Sequence, residues 1–337
     1  MPRSGALALA LAPARPGPAY RISLKGAACA LSVTLVASHA HAAAITVTDD
    51  SGAVVTLQAP AHRVISLAPH TTELIYAAGG ADAIVGAVSF SDYPSAARAL
   101  PRVGDNQALD LEKIVALKPD LLVVWRHGNV AQQIDALRAL GIPMFESEPK
   151  RLPEIAQNLH KLGALMGTEA VADHAAADFT ARIDALRARY AQRSPVRVFY
   201  QIWDNPPMTL SGQHMVSDVI ALCGGQNVFA SLAPIAPTVS TEAVIAANPE
   251  AIVTGRYDDS PHAGTDDRAR DASSPQATPA LPKSLDRWKA WPQIAAVAHD
   301  NLFSVNADWM DRAGPRIADG AGELCAELDV ARRHLGR

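Results

Sequence analysis

Hydrophobic positions along the chain alternate between two rhythms: short runs of β-branched residues, and longer stretches with apolar residues three or four apart. RVISLAP (63–69) is predicted as a strand ending in a turn. TTELIYAAGG follows as a helix that Thr71 or Thr72 can cap and that Gly79 and Gly80 close. AIVGAV (83–88) is a second strand, DLEKIVALKPDLLVVW (110–125) a helix, proline turn and third strand, and NVAQQIDALRALG a helix ending at Gly141. Strands that alternate with helices in this way are the signature of parallel βαβ units.

The same order returns after residue 195. RVFYQIW is a strand, and VSDVIALCGGQNVF carries Asp218, Ile220, Gly224 and Gly225 where the first half has Glu73, Ile75, Gly79 and Gly80. VSTEAVIAANPEAIVTG mirrors LDLEKIVALKPDLLVVW at one constant offset: Glu242 on Glu112, Ala246 on Ala116, Pro249 on Pro119 and Val253 on Val123. Two matches in the same order point to two related lobes. The expected architecture is α/β: two similar Rossmann-like lobes with parallel sheets, 45–151 and 195–330, and a ligand cleft between them. A helical segment, 152–194, joins them. Within it Val171, Ala175, Phe179, Ile183, Leu186 and Tyr190 give one apolar face to a single long helix starting near Thr168. A helical connector permits only small hinge motions. Residues 257–284, rich in Asp, Ser, Pro and Ala and without periodicity, are expected to be a mobile surface loop, and His262 within it is read as solvated rather than metal-binding.

Composition adds the compartment. Arg21 and Lys25 precede the apolar run AACALSVTLVA, and Ala40 and Ala42 follow in A-x-A spacing, so residues 1–42 read as a secretory signal peptide. The run is shorter than the roughly 20 residues needed to span a bilayer. The mature chain is therefore expected to be soluble and exported to the periplasm. The leader carries four basic residues (Arg3, Arg15, Arg21 and Lys25) and no acid, so its removal takes the formal charge from −4 to −8. Nucleic acid is not an expected partner of so acidic a chain. With Cys29 in the leader, only Cys223 and Cys325 remain, an even pair in an oxidising compartment, for which a structural disulfide is the expectation.

In open parallel sheets, ligands bind outside the carboxyl ends of the strands. The residues at those ends are His70 in the first unit, Phe90, Asp92 and Tyr93 in the second, and Trp125 to His127 in the third. The second half offers 203–208, which includes Trp203 and Met208, then Arg256 and Tyr257, and Asp308, Trp309 and Arg312. One tryptophan at such a position could simply cap a core. Three of the chain's five (Trp125, Trp203 and Trp309), joined by Tyr93, point to a cleft for a large, flat, partly apolar ligand.

RVISLAPHTTELIYAAG, SDYPSAA, LDLEKIVALKPDLLVVWRHGN, NPPMTLSG, ALCGGQNVF and DWMDRAGPR together resemble the periplasmic cobalamin-binding proteins of bacterial ABC importers, over about residues 45–328. The resemblance implies two lobes joined by one long helix, with cobalamin or a related corrinoid as transported cargo and no resident cofactor or metal. It implies that Tyr93, Trp125, Trp203, Asp308 and Trp309 contact the corrin ring and its amide arms, with Phe90, His70 and Met208 at the same cleft. It pairs Cys223 with Cys325. It makes Glu112 and Glu242, each two residues after a helix N-cap (Asp110 and Ser240), the docking carboxylates for the inner-membrane permease. A monomer is expected.

The chain departs from the family pattern at Asn106 and Ile235, where further aromatics are expected, at Met208 in place of phenylalanine, and at His70 in place of a small residue. Two other readings compete. A haem or ferric-siderophore binder of the same fold could use His70 or His127 on iron. A secreted metal-dependent enzyme would have to use His70 and Glu73, three residues apart in HTTE, but no nucleophile elbow, H-E-x-x-H motif or phosphate loop accompanies them. For Glu73 the plainer expectation is stabilisation of the helix N-terminus. No catalytic residue is expected.

Overall fold

The computed structural model describes residues 12–18, 44–257 and 282–337. Residues 42–337 form one compact unit, separate from 1–41, and all that follows concerns that unit. The leader cleavage site and most of the loop expected at 257–284 lie outside the described residues.

A hairpin of β1 (Ile45–Thr48) and β2 (Val54–Leu57) leads into β3 (Val64–Ser66), α1 (Pro69–Ala77), β4 (Ile84–Ala87), α2 (Leu111–Ala116), β5 (Leu121–Trp125), α3 (Ala131–Ala139) and β6 (Met144–Ser147). These strands form a fully parallel sheet in the order β4-β3-β5-β6. Two helices follow, α4 (Leu152–Met166) and α5 (Glu169–Tyr190). The second half comprises β7 (Val196–Asp204), β8 (Pro207–Thr209), α6 (Met215–Leu222), β9 (Gly225–Asn227), α7 (Thr241–Ala247), β10 (Ala251–Arg256), α8 (Lys283–Asp286), α9 (Ala295–Ala298), β11 (Leu302–Asn306), α10 (Ala307–Met310) and α11 (Ile317–His334). Its sheet runs β11-β10-β7-β8, with β9 also paired to β7. Every pairing is parallel except β7 with β8.

The continuous apolar runs form strands because both faces of these sheets are covered: Leu121 to Val124, Val198 to Tyr200 and Ala251 to Val253 are all buried. The helix ends follow local chemistry. Asp110 caps α2 by accepting from the Lys113 amide at 2.9 Å, and Ser240 caps α7 by accepting from the Ala243 amide at 3.1 Å. Gly141 takes φ 74° just beyond α3, a left-handed turn that favours glycine.

Three expectations need correction. The NPPMTLSG segment is not a loop at a strand end: it supplies the antiparallel strand β8, with Met208 opposite Trp203. Its proline is tolerated because Pro207 is the first residue of a strand at the sheet's edge. The helix after β3 is capped by neither hydroxyl as a side-chain N-cap. Ala68 is the N-cap, and the Thr71 hydroxyl, inside the first turn, accepts from the Ala68 amide at 3.1 Å. The long helix expected from near Thr168 is α5, and the earlier part of 152–194 forms α4, packed against it as a hairpin. The buried stripe of α5 is Ala172, Ala176, Phe179, Ile183 and Tyr190, while Val171 stays exposed. The small residues win that face because α4 approaches so closely that a Cβ on Gly163 would lie 2.3 Å from the Ala172 Cβ.

The core is arranged around this hairpin. One hydrophobic cluster runs without a break from Val64, Leu121 and Phe145, through Ile155, Leu159 and Leu162 of α4 and Phe179 and Ile183 of α5, to Val198, Ile220 and Leu324. Two smaller clusters line the opposite sheet faces, one around Ile65, Leu122 and Val124 and one around Phe199, Ile252 and Trp288. At about 1.5–3 kcal/mol for each fully buried large aliphatic side chain, the shared cluster resists separation of the halves. The β1–β2 hairpin is tied down by its turn: the Asp50 carboxylate accepts from the Glu148 amide and the Asn158 amide group and pairs with Lys161 at 3.1 Å.

Cys223, just after α6, and Cys325, in α11, are bonded across 102 residues of chain. Closing so long a loop stabilises by up to ~4.7 kcal/mol on the chain-entropy account. Unfolding the exported protein without reductant should expose no labelled thiol, and reduction should lower the denaturant midpoint. Two free thiols in the unreduced, unfolded protein would remove this contribution.

His214 caps α6, its Nδ1 accepting from the Val216 amide at 3.2 Å. Burial lowers its pKa to about 4. The unfolded chain therefore takes up a proton between about pH 6.5 and 4 that the fold refuses, so this stability is full above pH 6.5 and lost as pH falls through that window. His214→Asn keeps a cap acceptor without the titration. Its chemical-denaturation stability should fall less than that of wild type between pH 6.5 and 4, and parallel curves would mean that His214 does not contribute.

Candidate ligand-binding site

The carboxyl ends of the two parallel sheets face each other, and charged side chains cross the space between them. Glu73 lies in α1 and is only 3% exposed. No partner from its own half neutralises it. Arg316 reaches it from the other half with two bonds, Nε to Oε2 at 2.9 Å and Nη2 to Oε1 at 2.5 Å. Arg312 adds a third at 3.2 Å and also binds Asp92 at 2.8 Å and Asp308 at 2.7 Å. Burial works against ionisation of Asp92, but the Arg312 guanidinium outweighs it and holds the carboxyl below its usual range. The expectation that Glu73 serves the helix end is thus corrected: its carboxylate is committed across the cleft.

Tyr93, half-exposed, lies under the Arg316 guanidinium, whose central carbon is 4.0 Å from the ring centroid. Tyr93, Glu73, Tyr76 and Arg316 line a cavity of ≈ 330 Å³, and Trp309, Arg256 and Glu323 line a second of ≈ 640 Å³. The two share Arg182 and Asp319, which are themselves paired. Trp309 sits in α10, whose first turn is capped by Asn306, Oδ1 accepting from the Trp309 amide at 3.1 Å. The aromatic cavity and the ionic crossing are therefore neighbours.

Trp125 is the last residue of β5 and half-buried. The Asn129 side chain fixes its backbone, accepting from the Trp125 amide and donating to the Leu67 carbonyl, both at 2.8 Å. Trp203, near the end of β7, is 60% exposed, with its indole nitrogen donating to the Asn205 carbonyl at 3.0 Å. Phe90 follows β4 with φ 64° and is largely exposed. Exposed aromatic surface of this kind offers ligand contacts at little ordering cost.

His70 is not an open imidazole on the cleft wall. It is the second residue of α1, 5% exposed, packed edge-to-face against Trp125 with centroids 5.6 Å apart. Burial lowers its pKa to about 4, only partly opposed by the Ser147 backbone, and Nε2 is buried without a hydrogen-bond partner. His127 is exposed and pairs with Glu148 at 3.4 Å. Among the described residues, no three His, Cys, Asp or Glu side chains converge as a metal group. Glu112 and Glu242 both stand exposed in the first turns of their helices, α2 and α7.

Of the residues expected at the cleft, the structure joins Tyr93 to Arg316 and Asp308 to Arg312, and His70 to Trp125. It pairs Met208 with Trp203 on adjacent strands. Arg316, Glu73 and Gly128 were not among the expected contacts. The four-residue spacing of Arg312 and Arg316 beside Asp308 is the one sequence signal that could have pointed to the arginine pair.

Among the described residues no helix is long and apolar enough to cross a membrane. Residues 64–308 match the periplasmic binding protein family. The vitamin B12-binding protein of Vibrio cholerae is 38% identical over 275 residues, covering 81% of this chain and 91% of that protein. The vitamin B12-binding protein of Yersinia pestis is 38% identical over 269 residues, covering 80% and 86%. The crystal structure of the periplasmic vitamin B12 binding protein BtuF of Vibrio cholerae superposes with a TM-score of 0.69 at 37% identity, over 81% of this chain and 98% of that one. A periplasmic haem-binding protein, BhuT, shares the fold at 21% identity with a TM-score of 0.65, over 80% and 98%. With two parallel sheets facing across a cleft and these matches over most of its length, the chain belongs to the periplasmic binding protein family.

Proposed function

We propose that the protein captures cobalamin or a related corrinoid in the periplasm and delivers it to the inner-membrane permease of an ABC importer. The observation that carries this reading is the aromatic set at the facing sheet ends, Tyr93, Trp125, Trp203 and Trp309, in a chain whose relatives at 38% identity are named for vitamin B12 binding. These four residues and Asp308 make the main contacts to the corrin ring and its amide arms, with Phe90 and Met208 at the rim and His70 behind Trp125. The lobes, 45–151 and 195–330, close by small rotations about 152–194, because a packed helical hairpin is stiffer than extended linkers. The protein acts as a monomer, with cobalamin as cargo and no resident cofactor. Haem iron would need an accessible side-chain ligand. The burial of His70 speaks against it at that position.

Calorimetric titration with cyanocobalamin tests the reading, with haem and ferric siderophores as competitors followed by absorption. Tight binding of cyanocobalamin is expected; a shifted haem spectrum with no corrinoid heat would reverse the assignment. Trp125→Ala should weaken corrinoid binding by on the order of 2 kcal/mol, more than tenfold, with little change in melting temperature. If the melting temperature collapses and affinity holds, Trp125 belongs to the core.

Glu112 and Glu242 are proposed to dock onto the two permease subunits. Both are exposed, and each follows its N-cap by two residues at corresponding positions of the repeat. Backbone and Ser240 hydrogen bonds hold the Glu242 carboxyl below its usual range, so it remains charged at neutral pH. Two equivalent carboxylates can engage two equivalent basic patches at once, which multiplies weak contacts. The combined Glu112→Arg and Glu242→Arg substitution should leave corrinoid affinity and thermal stability nearly unchanged while abolishing uptake in vesicles carrying the permease. Normal uptake would reduce both glutamates to helix-end stabilisers.

A further inference from the structure

The plane of the Trp125 indole is set from two sides. On one side lies Gly128, close enough that a Cβ there would fall 1.8 Å from Cε3, 2.0 Å from Cδ2 and 2.3 Å from Cζ3 of the indole. These atoms belong to a rigid fused ring, so the ring would have to leave its position. Gly128 is not in the left-handed region, so its backbone would accept alanine. The nearest obstacle to a side chain at Gly128 is therefore the indole. On another side stands His70, edge-to-face at an interplanar angle of 85° and anchored in the first turn of α1.

The main chain under the ring is equally fixed. Asn129 ties the Trp125 amide to the Leu67 carbonyl at the end of the neighbouring strand, and the Trp125 carbonyl accepts from the Gly128 and Asn129 amides at 3.2 and 3.0 Å. With backbone and ring both held, the indole keeps little rotamer freedom to lose when a ligand stacks on it. The Ser147 backbone holds the His70 ring, its buried Nε2 has no partner, and what the ring presents to Trp125 is its edge-to-face contact.

We propose that His70 and Gly128 form a slot that orients Trp125 for the ligand, which makes them positioning residues for the aromatic contact. The proposal rests on the corrinoid reading for its ligand, but the orientation of the ring can be read without one.

A double-mutant cycle tests it, with cyanocobalamin affinity by calorimetry and the near-UV circular dichroism of the ligand-free protein. The Trp125 band is defined as the difference between wild type and Trp125→Phe. Gly128→Ala should weaken binding at least about tenfold, the scale of losing one aromatic anchor, and should erase the Trp125 band. In a Trp125→Ala background the same substitution should do nothing further. His70→Ala should diminish the band and weaken binding several-fold, and His70→Phe, which keeps a ring at the same place, should recover both. An unchanged band and affinity in Gly128→Ala overturns the slot, as does an equal loss in the Trp125→Ala background, which would trace the effect to the turn itself. Should wild type bind no cyanocobalamin, the corrinoid reading falls and the band decides the slot alone: its loss in Gly128→Ala supports it, its persistence refutes it.

Discussion

A buried carboxylate without a partner in its own half of the molecule constrains everything around it. Glu73 is removed from water by α1, and isolation of that charge would cost several kcal/mol. Its compensation comes from Arg316 and Arg312, 243 and 239 residues further along the chain. The arrangement of the two halves seen here is therefore one in which a buried charge is neutralised. Removing one partner of such a group typically costs about 3–5 kcal/mol, far more than the pair itself contributes relative to apolar packing. The network thus specifies geometry more than it adds stability. Arg312, bonded to Asp92 and Asp308 as well, gathers both sheet ends around one guanidinium.

That ionic crossing works against a second, apolar constraint. The cluster that runs from β3 and β5 through α4 and α5 into β7 and α11 makes the back of the molecule continuous. In the proposed closure, movement occurs as rotation about this spine, and contacts exchange on the cleft side. Charged bonds are suited to that exchange, because water can replace them when their groups are exposed, whereas separation of the apolar cluster would have no such compensation. The hairpin packing of α4 on α5, permitted by Gly163 and Ala172, is what makes the spine stiff.

The central strands were legible from their apolar stretches, Ile84 to Val88, Leu121 to Val124, Val198 to Tyr200 and Ala251 to Val253, even where Arg197 and Gln201 in β7 or Ser304 in β11 interrupt the run. The β1–β2 hairpin was not, since ITVT buries only alternate positions partially and its stability comes from Asp49 and Asp50 bonding to β6 and α4, about a hundred residues away. Phe179, Ile183 and Tyr190 of α5 are buried as expected, while its first two turns bury Ala172 and Ala176 instead of Val171 and Ala175, because the nearness of α4 decides which side takes small residues. At the cleft, residue type and position at a strand end revealed the tryptophans and Tyr93. The commitment of Glu73 escaped because helix position suggests a local role, and burial by a distant segment overrides it. His70, expected open on the cleft, is instead covered against Trp125.

The same contrast separates the tasks of the site. Long-range ion pairs such as Glu73 with Arg316 decide how the halves meet, and they depend on the whole fold. The orientation of Trp125 depends on residues within a few turns of it, His70 on the neighbouring strand-to-helix junction and Gly128 and Asn129 in its own turn. A fold that holds its aromatic contacts by local packing can open and close without disordering them, because rotation about the α4–α5 spine leaves each lobe internally unchanged. The cost of ordering the aromatic contacts is then met when each lobe folds, not each time a ligand arrives. Exchange of the arginine bonds is left as the event that accompanies closure.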